Sequence, residues 1–395
     1  MTIDHTIFLL LIAALVALIA RRLRLPYTVG LVLTGIGLTW ARVAGGAALT
    51  PHLILEAFLP PLLFEAALSI PWRALRRDGL LLAVLSTVGV LVSAAVVTAG
   101  MTALAHWPWR AALLFGVLIA ATDPVSVIAT FKENKVHGRA RLLVEAESLF
   151  NDGMAAVFFA LALGLVLSGD SLTPAHVAGA LAQTALGGIL IGLACGGLAI
   201  VLAGRTTDYL VETTLTAVTA FGSFSLAEHF GASGVLATVS AGLLLGNVGL
   251  LRGDDEGTLT QRGREVVIAF WDFAAFAANS LIFLLIGLDV ARRSFHALGF
   301  AALGLAIALT LLGRAAAVYP LCLPFRRSRL QVSLPHQHLL FWGGMRGALA
   351  LALALSLPGT VADRDRIILA AFAVVAFSVV VQGITMPLLL RRLKI

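Results

Sequence analysis

Glu147-Ser148-Leu149-Phe150-Asn151-Asp152 sets four polar residues in the middle of an apolar run from about Gly138 to Leu167. That run is long enough to cross a bilayer as a helix. A carboxylate at such depth costs about 2.5–3.5 kcal/mol on insertion scales, so it must face protein or water rather than lipid. At about 100° per residue, a helix stacks Ser148 over Asp152 in one column and Glu147 over Asn151 in the next. Two adjoining polar stripes at mid-membrane read as an ion site.

Composition sets the class around that stretch. The chain has 395 residues, 59% hydrophobic and only 12% charged, with a mean hydropathy of +0.98. Such a chain is expected to be an all-α polytopic membrane protein. Its 38 glycines suit close helix contacts, where small residues let backbones approach. A formal net charge of +7 raises nucleic acid as a partner, but the basic residues are scattered through short loops with no aromatic platform, which argues against it. Cys195 and Cys322 both lie in apolar segments and suggest neither a disulfide framework nor a metal cluster. The apolar start resembles a signal peptide, yet Asp4 stands where a basic region belongs, and Arg21, Arg22 and Arg24 follow. A first membrane helix is the better reading.

Thirteen apolar segments follow one another, at roughly 6–20, 27–45, 51–70, 79–104, 110–131, 138–167, 175–203, 209–228, 233–250, 265–290, 296–320, 336–357 and 367–390. Alternate loops hold twenty Lys and Arg against six in the other set. The positive-inside rule then predicts an external N-terminus and a cytoplasmic C-terminus. The chain ends close behind its last segment, which predicts no soluble regulatory tail. Interruptions fall at Thr122-Asp123-Pro124 in the fifth segment and at Gly343-Gly344-Met345-Arg346-Gly347 in the twelfth. These are the fifth places of the first six and of the last six segments. Paired breaks predict two inverted six-helix repeats with crossed broken helices at the site.

Asp123 is an N-cap candidate for a half-helix that starts at Pro124, with the Thr122 carbonyl freed upstream. Arg346 is placed to neutralise the negative end of a half-helix at the other break. Arg314 is the only cation of the eleventh segment and needs a buried anion; Glu147 is the candidate for a structural ion pair, the alternative being that Glu147 binds the ion itself. Glu65, after Pro60 and Pro61, reads either as a loop-proximal charge in water or as an accessory carboxylate. Asp289 is expected to be solvated near the outer end of the tenth segment, which also holds Asp272, and Asn279 to serve helix packing. The nine histidines fall near segment ends or in loops. No nucleophile–base arrangement or phosphate loop suggests an enzyme.

The stretches ATDPVSV at Ala121–Val127, ESLFNDG at Glu147–Gly153 and GGMRGALALALAL at Gly343–Leu355 together resemble the monovalent cation/proton antiporters. They are most similar to the branch of prokaryotic NhaP-type proteins and animal sodium/proton exchangers. The resemblance implies a homodimer in the bacterial cytoplasmic membrane, with no cofactor beyond the transported Na⁺ or Li⁺ and H⁺. It implies a dimerisation part near residues 1–78 and 175–290 and a moving core near 79–167 and 296–390, working as an elevator. It also implies a cation- or proton-binding set of Asp152, Asp123, Ser148, the Thr122 backbone, Glu65 and Asn151. Glu147 and Arg314 fall where that family has its stabilising pair, and Asn-Asp at 151–152 matches its electroneutral branch. The function expected is therefore Na⁺/H⁺ exchange at Asp152. Alternatives are K⁺/H⁺ exchange, a sodium-coupled organic-anion symporter, which would not exchange protons, or a cation channel, which would show single-channel currents.

Overall fold

Long runs of Leu, Ala, Val and Gly leave the backbone one way to satisfy itself in hydrocarbon, and every long regular element among the described residues is a helix. The computed structural model describes residues 3–23, 26–42, 49–123, 127–128, 131, 136–168, 174–250 and 258–393. The elements are α1 (Ile3–Leu23), α2 (Tyr27–Trp40), α3 (Leu59–Leu68, led by a π-turn at Leu53–Phe58), α4 (Trp72–Leu104) and α5 (Trp109–Leu118). Next come α6 (Arg139–Ser168), α7 (Pro174–Ala203), α8 (Tyr209–His229), α9 (Gly234–Leu245, prolonged by a π-turn at Gly246–Leu250) and α10 (Gln261–Arg292). The last are α11 (Phe300–Cys322), the half-helices α12 (Leu334–Gly343) and α13 (Ala348–Leu355), and α14 (Arg364–Phe377), which runs through a π-turn at Ser378–Gln382 into α15 (Gly383–Leu393). Counting α12 with α13 and α14 with α15 as single crossings gives thirteen units, as hydropathy predicts. Among the described residues eight helical stretches, with α12–α13 and α14–α15 each taken as one, are long and apolar enough to span a membrane.

The ends of these helices follow local chemistry. Pro26, Pro71 and Pro108 stand just before α2, α4 and α5, where a missing N–H costs nothing. Asp208, Ser233 and Thr260 cap α8, α9 and α10 by accepting from Leu210, Leu236 and Gly263 N–H at 2.8, 3.2 and 3.0 Å.

Packing between helices is set by glycine. Gly188, Gly192 and Gly196 recur every fourth residue on α7 and lie against Ser233, Ala237 and Ala241 of α9, which repeat at the same interval. A Cβ at Gly192 would strike the Ala237 carbonyl, so the two backbones meet with no side chain between them. Gly35 of α2 and Gly287 of α10 make a second such crossing. Gly192→Ala should therefore lower stability by roughly 1–3 kcal/mol through overpacking. Gly197→Ala, where a Cβ meets nothing within 4 Å, should cost nothing; thermal unfolding of the two purified variants compares them directly.

Long-range polar contacts tie loop ends together. Arg139 at the start of α6 bonds the buried Asp78 of α4 at 2.6 Å and the Gln331 and Leu330 carbonyls at 2.7 and 3.1 Å. Three loops of the basic set thus meet at one end of the bundle. At the other end Asp289 is only 7% exposed and accepts from Leu49 N–H at 3.2 Å, with Arg292 Nη1 3.6 Å away. The expectation of a solvated Asp289 is corrected: it is buried, and the Leu49 N–H bonds it.

Candidate functional site

Two helix breaks cross at the centre. The α5 helix ends at Leu118 and its chain runs non-helically through Asp123; α12 ends at Gly343 and Gly344–Gly347 separate it from α13. Asp123 N–H donates to the Met345 carbonyl at 2.7 Å, so the breaks are bonded to each other. The half-helix start assigned to Pro124 lies outside the described residues.

Breaking a helix orphans carbonyls that must find donors inside the protein. Arg346 Nη1 donates to the Ala120 and Ala121 carbonyls at 2.5 and 3.0 Å, where α5 gives way to the break. Arg314 adds to the end of α12, with Nη2 and Nε donating at 2.9 and 3.2 Å to the Leu340 carbonyl, which also accepts from Gly344 N–H at 3.2 Å. Gln382, in the last π-turn, donates to the Trp342 carbonyl at 3.0 Å. Each negative helix end thus receives a guanidinium. Gly344 is required because a Cβ there would strike the Arg314 guanidinium; at Gly347 it would strike the Asp123 carboxylate. Gly347 also precedes the first turn of α13, so the Asp123 carboxylate lies at the positive end of that half-helix.

Arg314 and Glu147 form a buried bidentate ion pair, at 2.6 Å from Nη1 to Oε1 and 2.8 Å from Nη2 to Oε2. Asn151 leans toward it, with Nδ2 donating to Glu147 Oε1 at 3.4 Å. The parallel fork is the strong geometry for guanidinium and carboxylate.

On the neighbouring stripe, Asp152 opens onto a cavity of about 60 Å³, room for about four waters. Its wall brings together Asp152, Asp123, Thr122 and Glu65, with Asn279 and Gly347. The Thr122 backbone N–H bonds the Asp152 carboxylate, whose charged neighbours are Asp123, Glu147 and Arg346. Ser148 and Asn151 are buried but do not line the cavity. Asp152 Oδ1, Thr122 Oγ1, Ser148 Oγ, Asn151 Oδ1 and Asn279 Oδ1 are buried oxygens with no hydrogen-bond partner among the described residues. Hard oxygens around a carboxylate fit a small monovalent cation as cargo. Among the described residues no three His, Cys, Asp or Glu side chains gather as a metal centre.

Two features escape a sequence reading. Asn279, expected to pack helices, is on the cavity wall, delivered by α10. Its neighbour Ser280, bonded to Tyr27 at 2.6 Å, is the residue that packs. The second duty of Arg314, at the Leu340 carbonyl, leaves no mark in charge pairing.

The fold is shared with known transporters. The sodium proton antiporter MjNhaP1 from Methanocaldococcus jannaschii superposes with a TM-score of 0.76 over 99% of this chain and 98% of that one, at 22% identity. The Na⁺/H⁺ antiporter ApNhaP of Aphanothece halophytica is 40% identical over 376 residues, 94% of this chain and 70% of its own. The Na⁺/H⁺ antiporter NhaH of Halobacillus dabanensis is 35% identical over 400 residues, 98% of this chain and 96% of its own. The transmembrane sodium/hydrogen exchanger family matches residues 7–392, nearly everything described above, and the chain belongs to that family.

Proposed function

We propose that the chain is a secondary active antiporter that exchanges Na⁺ or Li⁺ for H⁺, one for one, at Asp152. The observation that carries this is the meeting of Asp152 and Asp123 at two crossed helix breaks around one small cavity of hard oxygens. An empty Asp152 carboxylate is a buried charge and resists crossing the hydrocarbon layer. A proton or a cation cancels that charge, so the site reorients only when one of them is bound. Competition for one carboxylate then couples the two flows. Asp123 lies at the positive end of α13, and Asn151 offers no further proton site on the Asp152 turn.

The names of the relatives from Aphanothece and Halobacillus support sodium as cargo. The moving part is the set α4–α6 and α11–α15, sliding as an elevator against α1–α3 and α7–α10, close to the division at residues 79–167 and 296–390. A homodimer is supported by Asp272, which is exposed on α10 about 16 Å from its start, beside exposed Phe273. A second copy would take that carboxylate out of lipid. The basic loop set, with Arg139 at its centre, faces the cytoplasm in a bacterial inner membrane.

The test is a pH-dye assay in proteoliposomes, with Na⁺, Li⁺, K⁺ and Ca²⁺ added in turn. Na⁺ or Li⁺ should release internal acidity. A response to K⁺ alone would move the reading to K⁺/H⁺ exchange, and none to any cation would end it. Electroneutrality gives a separate prediction: a membrane potential imposed with valinomycin should leave the exchange rate unchanged. A rate that follows the potential would require a second charge in the cycle.

A further inference from the structure

A second cavity, of about 1130 Å³, lies on the far side of α6 from the ion site. Phe150 and Met154 reach its wall, each two residues and about 200° around the helix from Ser148 and Asp152, so it does not join the polar stripe. Its other walls come from α4, α7 and α9, and they are mainly apolar. On α4 the lining runs from Trp72 to Thr87, about 22 Å of helix. That equals the depth of one bilayer leaflet with its headgroup layer, about 20–22 Å. The basic-loop end of the slot is marked by Trp72, 55% exposed, and Arg73, also exposed. The inner end closes where Gly153 of α6 meets Leu236 of α9. Leu193, 42% exposed, puts part of the rim at the lipid-facing surface of α7.

The geometry points to a binding site for one phospholipid of the leaflet on the basic-loop side, its acyl chain in the slot and its anionic headgroup at Arg73. Charge and depth together choose this occupant. An arginine and a tryptophan at the headgroup level, over an apolar slot one leaflet deep, are the features that hold an anionic lipid. A second copy of the chain would need a broad face rather than a slot enclosed by four helices. The site lies between helices that the exchange reading assigns to different moving parts, but lipid binding itself does not depend on that reading.

The experiment is native mass spectrometry of the purified protein in mild detergent, after incubation with phosphatidylglycerol or phosphatidylcholine of equal chain length. One phosphatidylglycerol per chain should be retained in preference to phosphatidylcholine. Arg73→Gln should weaken phosphatidylglycerol retention about fivefold and leave phosphatidylcholine unchanged, as expected for one lost basic contact at the surface. Ser240→Phe, which puts a ring into the slot from the α9 wall, should weaken retention of both. No retained lipid in the unaltered protein would overturn the site, as would equal retention in both variants. A change of oligomeric state in Ser240→Phe with no change in lipid would assign the slot to a contact between copies and overturn the site as well. Since bound lipid is read rather than transport, failure here leaves the exchange reading untouched.

Discussion

Asp152→Asn is expected to reduce Na⁺-driven proton movement in proteoliposomes to the level of empty vesicles. The substitution keeps the shape of the side chain and an oxygen to accept the Thr122 N–H, so the crossing of the breaks survives. What it removes is the negative charge for which, in the proposed exchange, proton and cation compete. With that charge gone the site has nothing to neutralise and no reason to distinguish empty from loaded. Thermal unfolding should be unchanged or shifted upward, because a buried carboxylate at mid-membrane costs stability. Wild-type exchange by a well-folded Asp152→Asn protein would remove the residue from its role. A variant that unfolds is separated from one that is inactive by the unfolding curve itself.

Arg314→Ala should be the most damaging single change to stability. It leaves Glu147 buried without its bidentate partner, and it strips the Leu340 carbonyl at the end of α12 of its guanidinium donors. Breaking a buried pair from one side costs about 3–5 kcal/mol, since the remaining charge is uncompensated. Adding Glu147→Ala should return part of that loss but not all of it, because the Leu340 carbonyl still lacks those donors. The double variant therefore separates the two duties of Arg314. If the two single losses simply add, the pair is not coupled and the buried-charge argument fails.

Hydropathy counts the crossings correctly because each one needs about 20 apolar residues whatever its neighbours are. The breaks are legible for an equally local reason: Asp-Pro and a cluster of glycines both interrupt a helix by their own backbone chemistry. What cannot be read from letters is the rotation of one helix against another. Asn279 sits among Ala and Phe and reads as a packing amide, yet the turn of α10 puts it on the cavity wall. Asp289 reads as solvated from its place near a segment end, while the approach of Leu49 from 240 residues away buries it. Asp78 and Arg139 stand 61 residues apart at the edges of two segments, and only the fold makes them neighbours. Charge alone gives Arg314 an anion to seek, but not a carbonyl.

The bond from Asp123 to Met345, and those from Arg346 to Ala120 and Ala121, join the two breaks to one another rather than to their surroundings. In the proposed elevator cycle a pocket stitched together in this way would travel as one piece, so its grip on the cargo should be nearly the same whichever face of the membrane it meets. Glu65 and Asn279 come from α3 and α10, outside the set proposed to travel, and in that proposed cycle they are left behind. The difference between the inward and outward dissociation constants for the cation is then a direct measure of what those two side chains contribute. A small difference would make the protein a nearly symmetric valve, driven either way by the gradients it is given.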